Sequence, residues 1–207
     1  MLKLHTTYFG PIQWYQSLYR SDCVIIDGDE PWQKQTIRNR CQIATANGIQ
    51  TLSVPIVHER RTSTPPTERP ALLTTKSIRI SNHGKWRREH WNALQSAYGE
   101  SPFFDYYEDD LRPFFTEEWE YLFDFNLAIM HKMCELIENR ETGSEGARTD
   151  SAIGTSSTLP NKNTNLAPLP CAPRPYYQVY QHKHGFIPNL SILDLLCNMG
   201  NEAILYL

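Results

Sequence analysis

An α/β fold is expected, with α+β as the alternative: a small mixed sheet, made of an N-terminal β-α-β unit and a β-hairpin, packed against several helices. Three features carry that expectation. Leu2 to Phe9 and Cys23 to Ile26 are short β-branched, aromatic or apolar runs flanking the amphipathic stretch Ile12 to Tyr19. Asn47-Gly48 joins two alternating segments, and a type I′ turn, with φ > 0 at both central residues, favours that dipeptide. Trp86 to Tyr98 and Thr116 to Ile137 repeat apolar residues at helical spacing.

In chain order, Gly10-Pro11 turns the first strand into the first helix, where proline's missing N–H costs nothing at the first helical position. Asp27-Gly28-Asp29 closes the second strand, so the first two strands should pair in parallel across a short crossover. A turn centred on Asn47-Gly48 sets Ala46 opposite Ile49, Ile43 opposite Leu52, Cys41 opposite Val54 and Asn39 opposite Ile56. Alternation then buries Cys41, Ile43, Leu52, Val54 and Ile56, with Asn39 and Gln35 on the same inward face and Arg38 and Arg40 on the other. Residues 59–70 read as a charged, Pro-rich loop and Lys76 to Ile80 as a further strand. Trp86, His90, Leu94 and Ala97 share one helical face. Ser101 to Phe115 is expected to be partly helical, broken at Pro102 and Pro113.

Thr116 should cap a long helix reaching about Ile137, its stripe running Trp119, Leu122, Phe123, Asn126, Leu127, Met130, Met133, Cys134 and Ile137. Residues 139–175 turn to Gly, Ser, Thr, Asn and Pro, with too little apolar surface to repay ordering, and are expected to be a disordered linker or insertion. Tyr176 to Tyr180 looks like a strand and Ile192 to Cys197 like a short helix, with Ser191 and Asp194 as a capping pair. The organisation expected is a main domain, 1–138, the linker, 139–175, and a segment, 176–207, that has too little core to stand alone and docks on the main domain.

Composition narrows the function classes. The 207 residues carry a net charge of −3, which gives no electrostatic case for nucleic acid or anionic membrane. No apolar run approaches the roughly 20 residues of a membrane helix, so no membrane insertion is expected. The N-terminus lacks signal-peptide features, and the five scattered cysteines have no zinc or redox spacing; a cytoplasmic location is expected. There is no P-loop, GxGxxG, HExxH or GxSxG, and no cofactor is expected.

His90 is the leading catalytic candidate: an imidazole on an apolar helix face is either a neutral general base or a core histidine satisfied by one carbonyl. Asn126 has the same ambiguity between a ligand-binding amide and a bond tying two helices together. Asn39 and Gln35, if inward, must bond to backbone or to ligand. Arg38 and Arg40 could grip a phosphate or carboxylate, or form a solvated face. His182 and His184 share a strand face in this reading, yet no acidic or Cys ligand stands at metal spacing, so no metal is expected.

Read together, the ordered segments resemble the WbqC-like family of bacterial proteins. The residues that carry the resemblance are Tyr8-Phe9, Pro11 and Tyr15, the block Gln35-x-x-x-Asn39-Arg40 with Asn47-Gly48 and Leu52-x-Val54-Pro55, then Trp86-x-x-x-His90, Tyr98, Ser101-Pro102-Phe103-Phe104 and Asn126. The tail from Tyr177-Gln178-Val179-Tyr180 to Asn189-Leu190-Ser191 is similar to Bacteroidetes-type members. Leu4-His5-Thr6 stands where the family often has His-Gln-Pro, and Gly10 replaces a common Pro. The resemblance implies a surface-polysaccharide context. The expected activity is transfer of an acyl or aminoacyl group to a nucleotide-activated amino sugar. His90 would then be the base, with Tyr8, Gln13, Gln35, Asn39, Arg40 and Asn126 binding substrate. Two rivals stay open: a non-enzymatic adaptor of a glycan pathway, and a nucleotidyl-transferase-like protein whose first turn, Gly10-Pro11-Ile12-Gln13-Trp14, lacks the histidine pair that chemistry uses.

Overall fold

The computed structural model describes residues 2–57, 73–138 and 174–207. The charged loop expected over 59–70 and most of the 139–175 linker lie outside these residues. The chain runs β1 (Leu2–His5), α1 (Ile12–Tyr19), β2 (Val24–Asp27), β3 (Arg40–Thr45), β4 (Gly48–Ser53), α2 (Trp86–Tyr98), α3 (Phe104–Leu111), α4 (Pro113–Thr116), α5 (Leu122–Glu138), α6 (Gln181–His184) and α7 (Ile192–Met199). This is the expected α/β architecture, with strands of both senses: β1 and β2 pair in parallel, β3 and β4 antiparallel, each pair forming its own two-stranded ladder. The core lies between these ladders and α2, α5 and α7, where Ile43, Leu94, Phe125, Ile129, Met133 and Leu196 are buried.

The hairpin keeps its predicted faces but not its predicted register. Thr45 pairs with Gly48, Ala44 with Ile49 and Cys41 with Leu52, so the turn is Ala46-Asn47 rather than Asn47-Gly48. Thr45 is the reason: its Oγ1 accepts from Asn47 N at 3.3 Å and donates to the Gly48 carbonyl at 2.8 Å, while Gly48 takes φ of 107°. A slip of one residue would have turned the core face outward; this pairing keeps Cys41, Ile43, Leu52 and Val54 buried and leaves Ile56 half-buried.

Three other elements differ from the sequence reading. The long helix begins at Leu122, not Thr116, because 78–80 and 120–122 bond to each other: Ile80 N donates to the Glu120 carbonyl and Leu122 N to that of Ile78. The strand expected over Lys76 to Ile80 is accordingly a 3-10 turn, Thr75–Ser77, followed by isolated bridges to Tyr121 and Ile56. Tyr176 to Tyr180 is irregular, since Gln178 bonds through its side chain to Ile187, and His182 and His184 fall on one helical turn rather than a strand.

Residues 174–207 complete the N-terminal unit. The first amides of α1 find no side-chain cap of their own; Ile12 N donates to the Leu190 carbonyl and Gln13 N to Asn189 Oδ1, both at 3.0 Å. Ser191 answers by bonding the Phe9 carbonyl through Oγ at 2.8 Å and the Gln42 carbonyl through its N–H at 2.9 Å. Gly10 is tightly enclosed: a Cβ there would lie 2.4 Å from Thr7 Oγ1, so this chain's Thr7 leaves no room for a larger residue.

Arg38, read as an outward strand residue, is buried instead. Its Nε donates to Glu30 Oε1 at 2.6 Å and Nη2 to Oε2 at 2.5 Å, while Thr75 Oγ1 donates to the same carboxylate. Residues 31–39 hold turns that bring it to Glu30, which a strand reading cannot show. A bidentate pair this enclosed is costly to break and cheap to replace as a unit. Glu30→Ala is expected to lower stability by about 3 kcal/mol, and Glu30→Met with Arg38→Met by much less, measured by urea denaturation.

Candidate functional site

Where β1 gives way to α1, the Thr6 to Phe9 stretch is entirely buried, and Phe9 takes φ of 40°. Tyr8 N donates to the Ile37 carbonyl at 3.0 Å, which aims the Tyr8 ring between the hairpin base and the helices. There its hydroxyl bonds His90 Nδ1 at 2.9 Å. The ring of Tyr8 stacks on Phe125 with centroids 5.8 Å apart, and Trp86 sets its edge against His90 at 5.2 Å. The Ser53 backbone lies close enough to the ring to favour its protonated form. A neutral imidazole whose Nδ1 accepts from the Tyr8 hydroxyl carries its proton on Nε2.

Two amides join this pair at the hairpin base. Asn126 Nδ2, from the middle of α5, donates to the Arg38 carbonyl at 2.7 Å. Asn39 Nδ2 donates to the Val54 carbonyl at 3.2 Å, and Val54 N returns a bond to the Asn39 carbonyl at 2.8 Å. Both side-chain oxygens, Asn39 Oδ1 and Asn126 Oδ1, are enclosed with no partner among the described residues. Arg40 is half-buried opposite Ser53, and its Nε is likewise enclosed and unpartnered.

The structure therefore brings Tyr8 and His90 into contact and ties Asn39 and Asn126 to the hairpin base, where Arg40 stands opposite Ser53. It does not bring Gln35, which is exposed in a turn at φ of 60° rather than on the inward face, because β3 starts only at Arg40. Gln13 is half-buried at the start of α1 and faces the C-terminal segment, beside Gln16, Tyr176 and Asn189. Among the described residues no group of three His, Cys, Asp or Glu side chains is placed to hold a metal. Nor is any helix among them long and apolar enough to cross a membrane.

Burial pushes the His90 imidazole down to about 4, with the Ser53 backbone acting weakly against it, so the ring is neutral at physiological pH. Tyr8 is pushed the other way by its own burial and stays a phenol. The closed arrangement thus holds a neutral imidazole against a proton-bearing hydroxyl, and the two shifts make proton transfer from Tyr8 to His90 uphill in this state.

A second buried titratable group escaped the sequence reading in this role. Asp194, on the first turn of α7, does not complete a capping box. Its carboxylate accepts from the Tyr176 hydroxyl and from Gln178 Nε2, with the Tyr98 hydroxyl also close. Burial raises it to about 6. The signal was present in Ile192-Leu193-Asp194-Leu195-Leu196: a lone acid in an apolar helix, the same pattern that singled out Asn126.

His90 and Asp194 make stability depend on pH in opposite senses. The folded-state value of His90 lies below the free imidazole's, so its contribution is complete above pH ~6.5 and is lost as pH falls through about 4. That of Asp194 lies above the free carboxyl's, so its contribution is complete at low pH and is lost as pH rises through about 6. Denaturation across pH ~4 to ~7 should therefore show Asp194→Asn steepening the rise of stability with pH, and His90→Gln flattening or reversing it, each relative to the unaltered chain.

The model of the WbqC-like protein family matches residues 6–144, a span holding Tyr8, Asn39, Arg40, His90 and Asn126. A curated relative, the uncharacterized protein Rv1507c of Mycobacterium tuberculosis, is 25% identical over 214 aligned positions, covering 90% of this chain and 87% of that protein. No solved structure matches the chain significantly.

Proposed function

The chain belongs to the WbqC-like protein family, and from that premise we propose that it is a group transferase moving an acyl or aminoacyl unit onto a nucleotide-activated amino sugar in surface-polysaccharide biosynthesis, in the cytoplasm. His90 is the general base in this reading, and Tyr8 is the hydroxyl through which it works. Arg40 binds a phosphate or carboxylate, and Asn39 and Asn126 orient carbonyl or hydroxyl groups, while Gln13 and Gln35, which lie elsewhere, take no part in it.

One observation supports the reading above others. Asn39 Oδ1, Asn126 Oδ1 and Arg40 Nε are enclosed polar atoms with no partner among the described residues, on side chains at or bonded to the base of the hairpin. Such atoms are costly to bury, and a bound molecule or water that completes them gives the burial a reason. With its conjugate acid near 4, His90 is a weak base in the closed state; an anionic group brought beside it favours the protonated form and raises its basicity.

A second reading is favoured by the closure itself. Tyr8 is fully buried, and the partners of His90 are all internal, as in a clamp that fixes the hairpin. That suits a non-enzymatic adaptor. Thermal unfolding against nucleotide sugars, amino sugars, acyl-CoAs and nucleotides separates the two. A ligand at ~100 times its dissociation constant adds about 2.7 kcal/mol, so the transferase should shift by a few degrees with a nucleotide sugar or acyl donor. His90→Gln should then stay folded and lose turnover. A flat panel, or full turnover in His90→Gln, would favour the adaptor.

A further inference from the structure

Trp119 stands outside the helix the sequence assigned it to, on the extended stretch just before α5. Its ring packs on Phe114 and Phe125, with centroids 6.4 and 5.5 Å away, and Phe125 in turn stacks on Tyr8. Trp119 stays partly exposed, and its indole N–H is enclosed with no partner among the described residues. It forms part of the wall of a surface cleft of about 430 Å3, together with the apolar side chains of Val57 and Ile80. That volume is within the range of small-molecule sites, roughly 300–1,000 Å3.

The polar lining of this cleft is organised. Arg79 pairs with Glu120 across the bridge between 79 and 121. Asn82 donates to Glu118 Oε2 at 3.3 Å and is itself held by Arg87 Nη2 at 2.7 Å, whose guanidinium lies over the Trp86 ring at 4.7 Å. The second oxygen of Glu118 has no partner among the described residues. The cleft therefore offers an aromatic wall, a carboxylate with a free oxygen, a carboxylate already balanced by Arg79, and a guanidinium with further N–H groups.

We propose that this cleft is a saccharide subsite that takes an amino sugar. The apolar face of a pyranose lies against Trp119, Val57 and Ile80. Its ammonium group meets the free oxygen of Glu118, and ring hydroxyls donate to Glu120 and accept from Arg79. Burial of a flat apolar face beside fixed polar partners distinguishes a sugar from a simple cation, which would need the carboxylates alone. The proposal rests on the transferase reading only for the subsite's place in a reaction, because binding itself needs no turnover.

The test is binding of free glucosamine by saturation-transfer NMR and calorimetry, with glucose and spermidine as comparators. Glucosamine should bind, with glucose and spermidine each weaker by about tenfold or more. Glu118→Gln should weaken glucosamine several-fold. Trp119→Phe keeps the packing on Phe114 and Phe125 but removes part of the ring, and should weaken it too. No glucosamine binding, equal binding of glucose or spermidine, or unchanged binding in both variants would overturn the proposal. Glucosamine binding without any turnover leaves this subsite standing and removes the transferase reading; turnover with no binding at this cleft does the reverse.

Discussion

Side-chain donors from separate elements converge on the backbone carbonyls at the base of the β3–β4 hairpin. Asn126 in α5 reaches Arg38, Asn39 reaches Val54, and His90 in α2 holds Tyr8, whose N–H reaches the Ile37 carbonyl. Among the described residues no third strand lies beside this short ladder, so without side-chain donors these carbonyls would go unpaired. Apolar packing alone could let the hairpin slide over the helices. The directed bonds set its height and angle, and the Tyr8–His90 pair follows from that placement.

The same logic joins the two ends of the chain. Helix α1 lacks a cap of its own, and the Leu190 carbonyl and Asn189 side chain supply one from more than 170 residues away in sequence. Asn189 takes φ of 57° to do so, a backbone conformation that asparagine tolerates better than most residues. Asp194, Tyr176 and Gln178 then lock the segment internally. Stability of the N-terminal unit and the seating of the C-terminal segment are therefore one property.

Much of this was legible in the sequence where the signal was periodic. The faces of α2 and of the hairpin, the parallel β1–β2 pair and helix α1 follow from apolar spacing, because burial of those faces dominates their placement. Asn126 and His90 stood out as polar residues inside apolar faces. What could not be read was decided by contacts distant in sequence. Arg38 looked solvated until Glu30 and Thr75 met it, Gln35 looked inward until the turn before β3 displaced it, and Trp119 looked helical until 120–122 paired with 78–80. Thr45 moved the turn by local hydrogen bonding that the Asn-Gly signal outweighed on paper.

The central claim is that His90 is enclosed against the Tyr8 hydroxyl, neutral and fixed in one tautomer. Nitrogen-15 NMR of the histidine side chains across pH tests it most directly. The account predicts a single imidazole carrying its proton on Nε2 at neutral pH and titrating only near 4. An imidazole at this position that titrates near ~6.5, the value of a free histidine, or that averages between tautomers, would contradict it.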